Sequence, residues 1–150
     1  MPGTDTDWSL RRMPPDDAQF LEALAEAGMP HQDMAETNGA FFILADGGGR
    51  ALGYCGYELL GQSLALIRSC VVPRAHRGKG AGRAMIAALI ERLAGEGRRE
   101  LYLFTVDAGP FFARFGFELS PRAAAPEAIR ASSQFDMACC EGAVLMRRAP

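Results

Sequence analysis

Between Cys70 and Ala84 the chain reads C-V-V-P-R-A-H-R-G-K-G-A-G-R-A. Glycines at 78, 80 and 82 are interleaved with the cations Arg74, Arg77, Lys79 and Arg83. An apolar, strand-like run ends at Val72, and a helical period begins in the glycine loop. The first N–H groups of a helix lack intrahelical partners and carry the positive end of its dipole. That geometry binds phosphate. Glycines without Cβ atoms let a diphosphate approach the backbone closely. Each cation at such a partly exposed phosphate contributes roughly 1 kcal/mol, and more where water is excluded.

Two familiar phosphate loops do not describe this stretch. A P-loop requires G-x-x-x-x-G-K-[ST]. Position 73 is proline, and Gly80 follows Lys79. A dinucleotide fingerprint requires G-x-G-x-x-G, whereas these glycines are spaced two apart throughout.

The elements that must position the loop follow from period and punctuation. Strands are expected at Trp8–Arg12, Ala40–Ala45, Leu52–Leu59 and Leu64–Val72, the last three joined by turns at Asp46–Gly49 and Gly61–Ser63. A first helix opens at Asp16-Asp17, carries Phe20, Leu21 and Leu24, and ends at Gly28. A short second helix is expected around Gln32 to Glu36. From Gly80 to Ala94, Ile86, Leu89, Ile90 and Leu93 recur at helical spacing. Then come a strand at Glu100–Val106, a short helix at Gly109–Arg114, a strand from Gly116 to Leu119, an alanine-rich helix at Ala123–Ala131 and a closing strand at Ala143–Arg147. Consecutive strands make an antiparallel meander, and the helix after the fourth strand permits a parallel crossover. The expected class is α/β (α+β): a mixed, mostly antiparallel sheet flanked by helices.

Composition bounds the rest. With 150 residues, one domain over 1–150 is expected, large enough to bury a core without disulfides or metal. A net charge of -2, with basic residues gathered at one loop, argues against a nucleic-acid partner. No apolar run is long enough to span a bilayer. The first residues are polar and acidic and do not read as a targeting signal, so the expected location is cytoplasmic. Cys55, Cys70, Cys139 and Cys140 form no paired C-x-x-C units, and His31 and His76 lie outside any zinc spacing, so no metal is expected. The adjacent Cys139-Cys140 pair has the softness to bind a trivalent metalloid.

Arg77-Gly78-Lys79-Gly80-Ala81-Gly82 resembles the R/Q-x-x-G-x-G/A motif of the GCN5-related N-acetyltransferases (GNAT). Phe111-Phe112-Ala113-Arg114-Phe115-Gly116-Phe117 resembles the family's F-Y-x-x-x-G-F block. With the intervening helix and strand, the resemblance covers most of residues 40–120. A narrower resemblance, to short amino-acid and arsenic-resistance N-acetyltransferases, rests on Leu101–Thr105, Phe111–Phe117, Ala125–Arg130, Ser133–Phe135, Cys139 and Ala143–Arg147. Pro73-Arg74 and Cys140 depart from that subgroup's pattern.

The resemblance implies acetyl transfer from acetyl-CoA to a small amine, at the place where two neighbouring parallel strands splay apart. It places the pantetheine along Cys70, Val71 and Val72, and the diphosphate on Arg77, Gly78, Lys79, Gly80, Ala81, Gly82 and Arg83, with Phe112 beside the channel. The family's frequent acid is the tyrosine of its F-Y block. Phe112 stands there and has no proton to give, leaving Tyr54, Tyr57, Tyr102, water or the substrate to serve. Alternation along the strand before the loop puts Leu66, Arg68 and Cys70 on one face. Arg68, a cation in an apolar strand, suits a substrate carboxylate. Glu58 is the candidate base, through water, and Thr105 a substrate contact. The acceptor expected is an amino acid or analogue, such as glutamate or a toxic glutamate analogue. The oligomeric state stays open, a homodimer being frequent in the family. Two other readings stand beside the enzyme: an acetyl-CoA-binding module without turnover, and a metalloid-binding protein built on Cys139-Cys140.

Overall fold

A computed structural model describes residues 7–29, 31, 34, 39–132, 135 and 142–150. The short helix expected around Gln32 to Glu36 and the Cys139-Cys140 pair lie outside the described residues, apart from Met34.

The strands are β1 (Ser9–Met13), β2 (Ala40–Ala45), β3 (Ala51–Leu60), β4 (Leu64–Val71), β5 (Glu100–Thr105), β6 (Glu118–Ser120) and β7 (Val144–Arg148). They form one sheet in the order β1-β2-β3-β4-β5-β7-β6. Only β4 and β5 pair in parallel, and the other neighbours are antiparallel. The helices are α1 (Ala18–Glu26), α2 (Ala81–Gly95), α3 (Gly109–Ala113) and α4 (Glu127–Arg130). The mixed, mostly antiparallel sheet with flanking helices is the class read from the sequence.

Local chemistry explains the element ends. Asp17 caps α1, its Oδ1 accepting from the Phe20 N–H at 3.0 Å. Asp46 Oδ1 accepts from the N–H groups of Gly48 and Arg50, closing the β2–β3 turn. The expected helix at Ala123–Ala131 is corrected. A 3-10 turn at Arg122–Ala124 gives way to extended backbone at Ala125, and α4 begins only at Glu127. Pro126 is the cause. It lacks an N–H and pushes the residue before it out of the helical region.

The sheet buries both faces. Met85, Ile86, Leu89 and Leu93 of α2 press onto one face, against Phe42, Leu44, Cys55 and Ile67. Burial of each such leucine contributes about 1.5–3 kcal/mol. Met85 joins the buried stripe expected of this helix, and Ile90 is only half-buried. On the opposite face, Phe20 and Leu24 of α1 pack on Phe41, Tyr54 and Val71. Ile129 of α4 packs there on Leu66, Tyr102 and Leu145. Arg98 stitches the β3–β4 turn from outside. Its Nη1 donates toward the carbonyls of Leu60 at 2.9 Å, Gly61 at 3.1 Å and Leu64 at 2.9 Å.

β4 carries the irregularity that matters. Tyr54 pairs with Val71 and Gly56 with Arg68, so two steps on β3 match three on β4. The extra residue is a bulge at Ser69, which has φ 61, the sole non-glycine positive φ among the described residues. The expected shared face of Leu66, Arg68 and Cys70 is corrected by it. Arg68 lies over the Phe41 ring, on the α1 side. Cys70 packs on the α2 side, and Val71 returns to the α1 side. A one-residue insertion reverses the alternation beyond it.

Candidate active site

β4 and β5 pair from Leu64/Glu100 to Ile67/Leu103 and no further. Beyond that point a cleft of about 870 Å³ opens between them, walled by Ser69 to Val72 on one strand and Phe104 to Ala108 after the other. Its lining includes Gly80 to Gly82 at the start of α2 and Ala27 to Met29 at the end of α1. Those helices cover opposite faces of the sheet, so the cleft runs through the sheet at the splay.

The glycine loop is built for the α2 end. Pro73 leads into a 3-10 turn at Arg74–His76, and the Arg77 Nε donates to the Val72 carbonyl at 2.9 Å, fastening the loop to the end of β4. Gly78 and Gly80 have φ of 82 and 84, in the left-handed region that favours glycine. Gly80 is the N-cap of the 15-residue α2, with no side-chain cap. Gly80, Ala81 and Gly82 line the cleft, and no side chain caps the N–H groups of this first turn, beside exposed Arg77 and Lys79. Open space lies where a Cβ would stand on Gly78 or Gly80, while at Gly82 it would meet the Phe111 ring at 3.5 Å. A diphosphate fits this cradle.

Of the cofactor-side residues expected from the sequence, Cys70, Val71, Val72, Arg77, Gly78, Gly80, Ala81, Gly82 and Phe112 line the cleft. Lys79 and Arg83 are placed outside its lining. Phe112 is buried edge-on between Phe111 and Phe117, at 5.1 and 5.9 Å between ring centroids. Cys70 keeps part of its surface on the cleft, yet burial pushes its thiol up to about 12, so it is protonated at neutral pH.

The substrate-side residues divide. Thr105 lines the cleft, and its Oγ1 accepts from the Ala108 N–H at 3.0 Å, closing the turn into α3. Arg68 and Glu58 stand behind the wall. Arg68 Nη1 donates to Glu58 Oε2 at 2.7 Å, and its Nε donates to Ser69 Oγ at 3.1 Å. Three tyrosines were open as acids, and none of them lines the cleft. Tyr57 donates to Glu96 at 2.6 Å, Tyr102 donates to Glu100 at 3.0 Å, and Tyr54 packs on Phe20.

Three polar residues of the lining went unassigned from sequence. Ser69 is buried at the inner end of the splay. His76 turns a buried Nδ1 with no hydrogen-bond partner among the described residues. Asp107 supplies an exposed carboxylate at the β5 end. The signal for Asp107 was its place just past a predicted strand; nothing in the local sequence marked the Ser69 bulge.

Comparison with known proteins bears on this geometry. Residues 6–117 match the acetyltransferase (GNAT) family. Over 77 residues the chain is 35% identical to an uncharacterised N-acetyltransferase, CT2212, of Chlorobaculum tepidum, a match covering 51% of this chain and 49% of that protein. It thus spans about half the length of that curated relative. N-acetylglutamate synthase from Neisseria gonorrhoeae, solved with coenzyme A and L-arginine, superposes with a TM-score of 0.73 at 18% identity, over 95% of this chain and 33% of that one. Rv2747 from Mycobacterium tuberculosis, solved with CoA and NLQ, gives 0.71 at 18% identity, over 95% and 99%. At these identities the structural likeness establishes the fold.

Proposed function

The chain belongs to the acetyltransferase (GNAT) family, and on that premise we propose that it transfers an acetyl group from acetyl-CoA to the amino group of a small amino acid or amino-acid-like compound. Glutamate or a toxic glutamate analogue is the acceptor in view, and the subgroup resemblance adds arsenic resistance as its context. One observation carries the reading: an uncapped helix start with two left-handed glycines opens into a cleft that crosses the sheet where its parallel strands part. Solved relatives of the same fold hold coenzyme A, one of them an N-acetylglutamate synthase.

On this reading the diphosphate lies on Arg77 to Gly82 with Lys79 and Arg83 at its rim, and the pantetheine runs along Cys70 to Val72 beside Phe112. The acceptor enters from the α1 side, past Gly28 and Thr105. Its amine attacks the thioester carbonyl, and backbone N–H groups of the splayed strand stabilise the developing oxyanion. Arg68 is held by Glu58 and Ser69. Clamping an acceptor carboxylate therefore requires it to turn from Glu58, and Glu58 serves as a base, through water, only when so released.

A second reading, an acetyl-CoA-binding module without turnover, draws on Phe112 in the tyrosine position and on the absence of Tyr54, Tyr57 and Tyr102 from the cleft lining. A mass-spectrometric screen separates the two. Purified protein, acetyl-CoA and a panel of amino acids, glutamate-like herbicidal analogues and polyamines are incubated, and acetylated products are sought. An acetylated amino acid supports the enzyme. Binding of acetyl-CoA with no product from any amine supports the module.

A further inference from the structure

We infer that the Ser69 hydroxyl is a catalytic group of this reaction, the donor that meets the departing thiolate in place of the tyrosine the family often uses. The inference rests on the acetyl-transfer reading above. Four observations carry it. Ser69 lines the cleft at the innermost position of the splay, two residues past the last β4–β5 pair at Ile67/Leu103. A ligand whose diphosphate lies at the start of α2 and whose arm runs inward along Val72 to Cys70 brings its reacting end to this residue. Ser69 is 5% exposed, so its hydrogen bonds are made largely out of water. Its backbone is left-handed at φ 61, a conformation costing a non-glycine residue about 1–2 kcal/mol. Glycine would adopt it without that cost, and a hydroxyl-bearing residue stands there instead.

The fourth observation is the hydroxyl's partner. Ser69 Oγ accepts from Arg68 Nε at 3.1 Å, which leaves its own hydrogen to donate into the cleft. Arg68 is held by Glu58 at 2.7 Å, so a fixed cation faces any negative charge that builds on Oγ. Arg68 is thus the positioning residue and Ser69 the group at the reacting atoms.

The step balances. The amine lone pair forms the C–N bond to the thioester carbonyl carbon. The C–S bond breaks and its electron pair goes to sulfur. The Ser69 Oγ–H passes its proton to that sulfur as Oγ takes up, through an intervening water and in the same step, the proton that nitrogen sheds on becoming an amide, so no free alkoxide forms. Net, one proton moves from nitrogen to sulfur, and Ser69 is regenerated.

The test is S69G, which keeps the left-handed backbone without strain and removes the hydroxymethyl side chain. Its kcat should fall about 100-fold, the loss typical of a donor aimed at developing negative charge. Its KM for acetyl-CoA should stay within about threefold, because the interaction is made in the transition state. A solvent deuterium isotope effect on wild-type kcat should vanish in S69G. S69A is read the same way should S69G fail to melt cooperatively. Wild-type kcat in S69G, or an undiminished isotope effect, overturns the inference while leaving acetyl transfer standing. Absence of turnover by the wild type with every amine defeats the acetyl-transfer reading, and this inference with it.

Discussion

Arg68 and Glu58 join β4 to β3 directly behind the splay, with Nη1 of the arginine 2.7 Å from Oε2 of the glutamate. The Arg68 side chain is shut off from solvent, and the Glu58 side chain is 13% exposed. The guanidinium also lies over the Phe41 ring, 5.8 Å from its centroid. A buried cation is tolerated here because a carboxylate, a hydroxyl and a ring face surround it.

Removing one member of this pair should therefore cost more than removing both. E58L removes the carboxylate that accepts from Arg68 Nη1 and should lower stability by about 3–5 kcal/mol. The double variant R68M/E58L should recover most of that loss. Urea unfolding measures both. Equal losses in the two variants would show that packing, rather than the charge, sets the cost.

Gly56 makes room for this arrangement. A Cβ there would run into the Phe41 ring and stand 2.9 Å from the Ala40 carbonyl oxygen. G56A should destabilise by about 1–3 kcal/mol through overpacking. Thermal melting reads the effect, and an unchanged Tm would mean that the Phe41 ring shifts freely.

At Gly80 the constraint is the backbone alone, since φ is 84 and open space surrounds the Cβ position. G80A should strain the first turn of α2 by about 1–2 kcal/mol. It should raise the KM for acetyl-CoA about tenfold and leave that of the acceptor nearly unchanged. Equal changes in both would detach the loop from cofactor binding.

How much of this was legible in the sequence depends on range. The conformation of the glycine loop was readable because its determinants are local: Gly78 and Gly80 take φ values that favour glycine, and Arg77 latches five residues back onto Val72. The antiparallel meander and the parallel crossover followed from turns and periods, whereas the insertion of β7 between β5 and β6 did not. The site behind the splay was not readable. Alternation assumes one residue per pleat, and the Ser69 bulge breaks it by pairing three residues of β4 with two of β3. Arg68 looked like an open clamp because its partner Glu58 comes from another strand. Pro126 was visible, but the surrounding alanines suggested a helix that proline cannot continue. Arg98 reaches carbonyls at least 34 residues away, a contact no local pattern encodes.

Alkaline pH should unfold the protein early. The Cys70 thiol is raised by burial from an ordinary 9.0 to about 12, and burial raises Cys55 in the same direction. A thiol raised in the folded state binds its proton more tightly there than in the unfolded chain. Its stabilising contribution is complete below pH 9 and is lost as pH rises toward 12. Urea midpoints should fall across that window, and C70A should flatten the fall. Iodoacetamide should label Cys70 slowly at pH 8 in the folded protein and quickly in urea.

The most direct test of the central claim follows the acetyl group itself. Purified protein is given acetyl-CoA carrying an isotopically labelled acetyl group together with glutamate or a glutamate analogue, and the amine is analysed by mass spectrometry. The account predicts the labelled acetyl on the amino nitrogen, at a rate that depends on both enzyme and acceptor concentration. Labelled acetyl that stays on coenzyme A with every amino acid offered, while acetyl-CoA still binds, would contradict it.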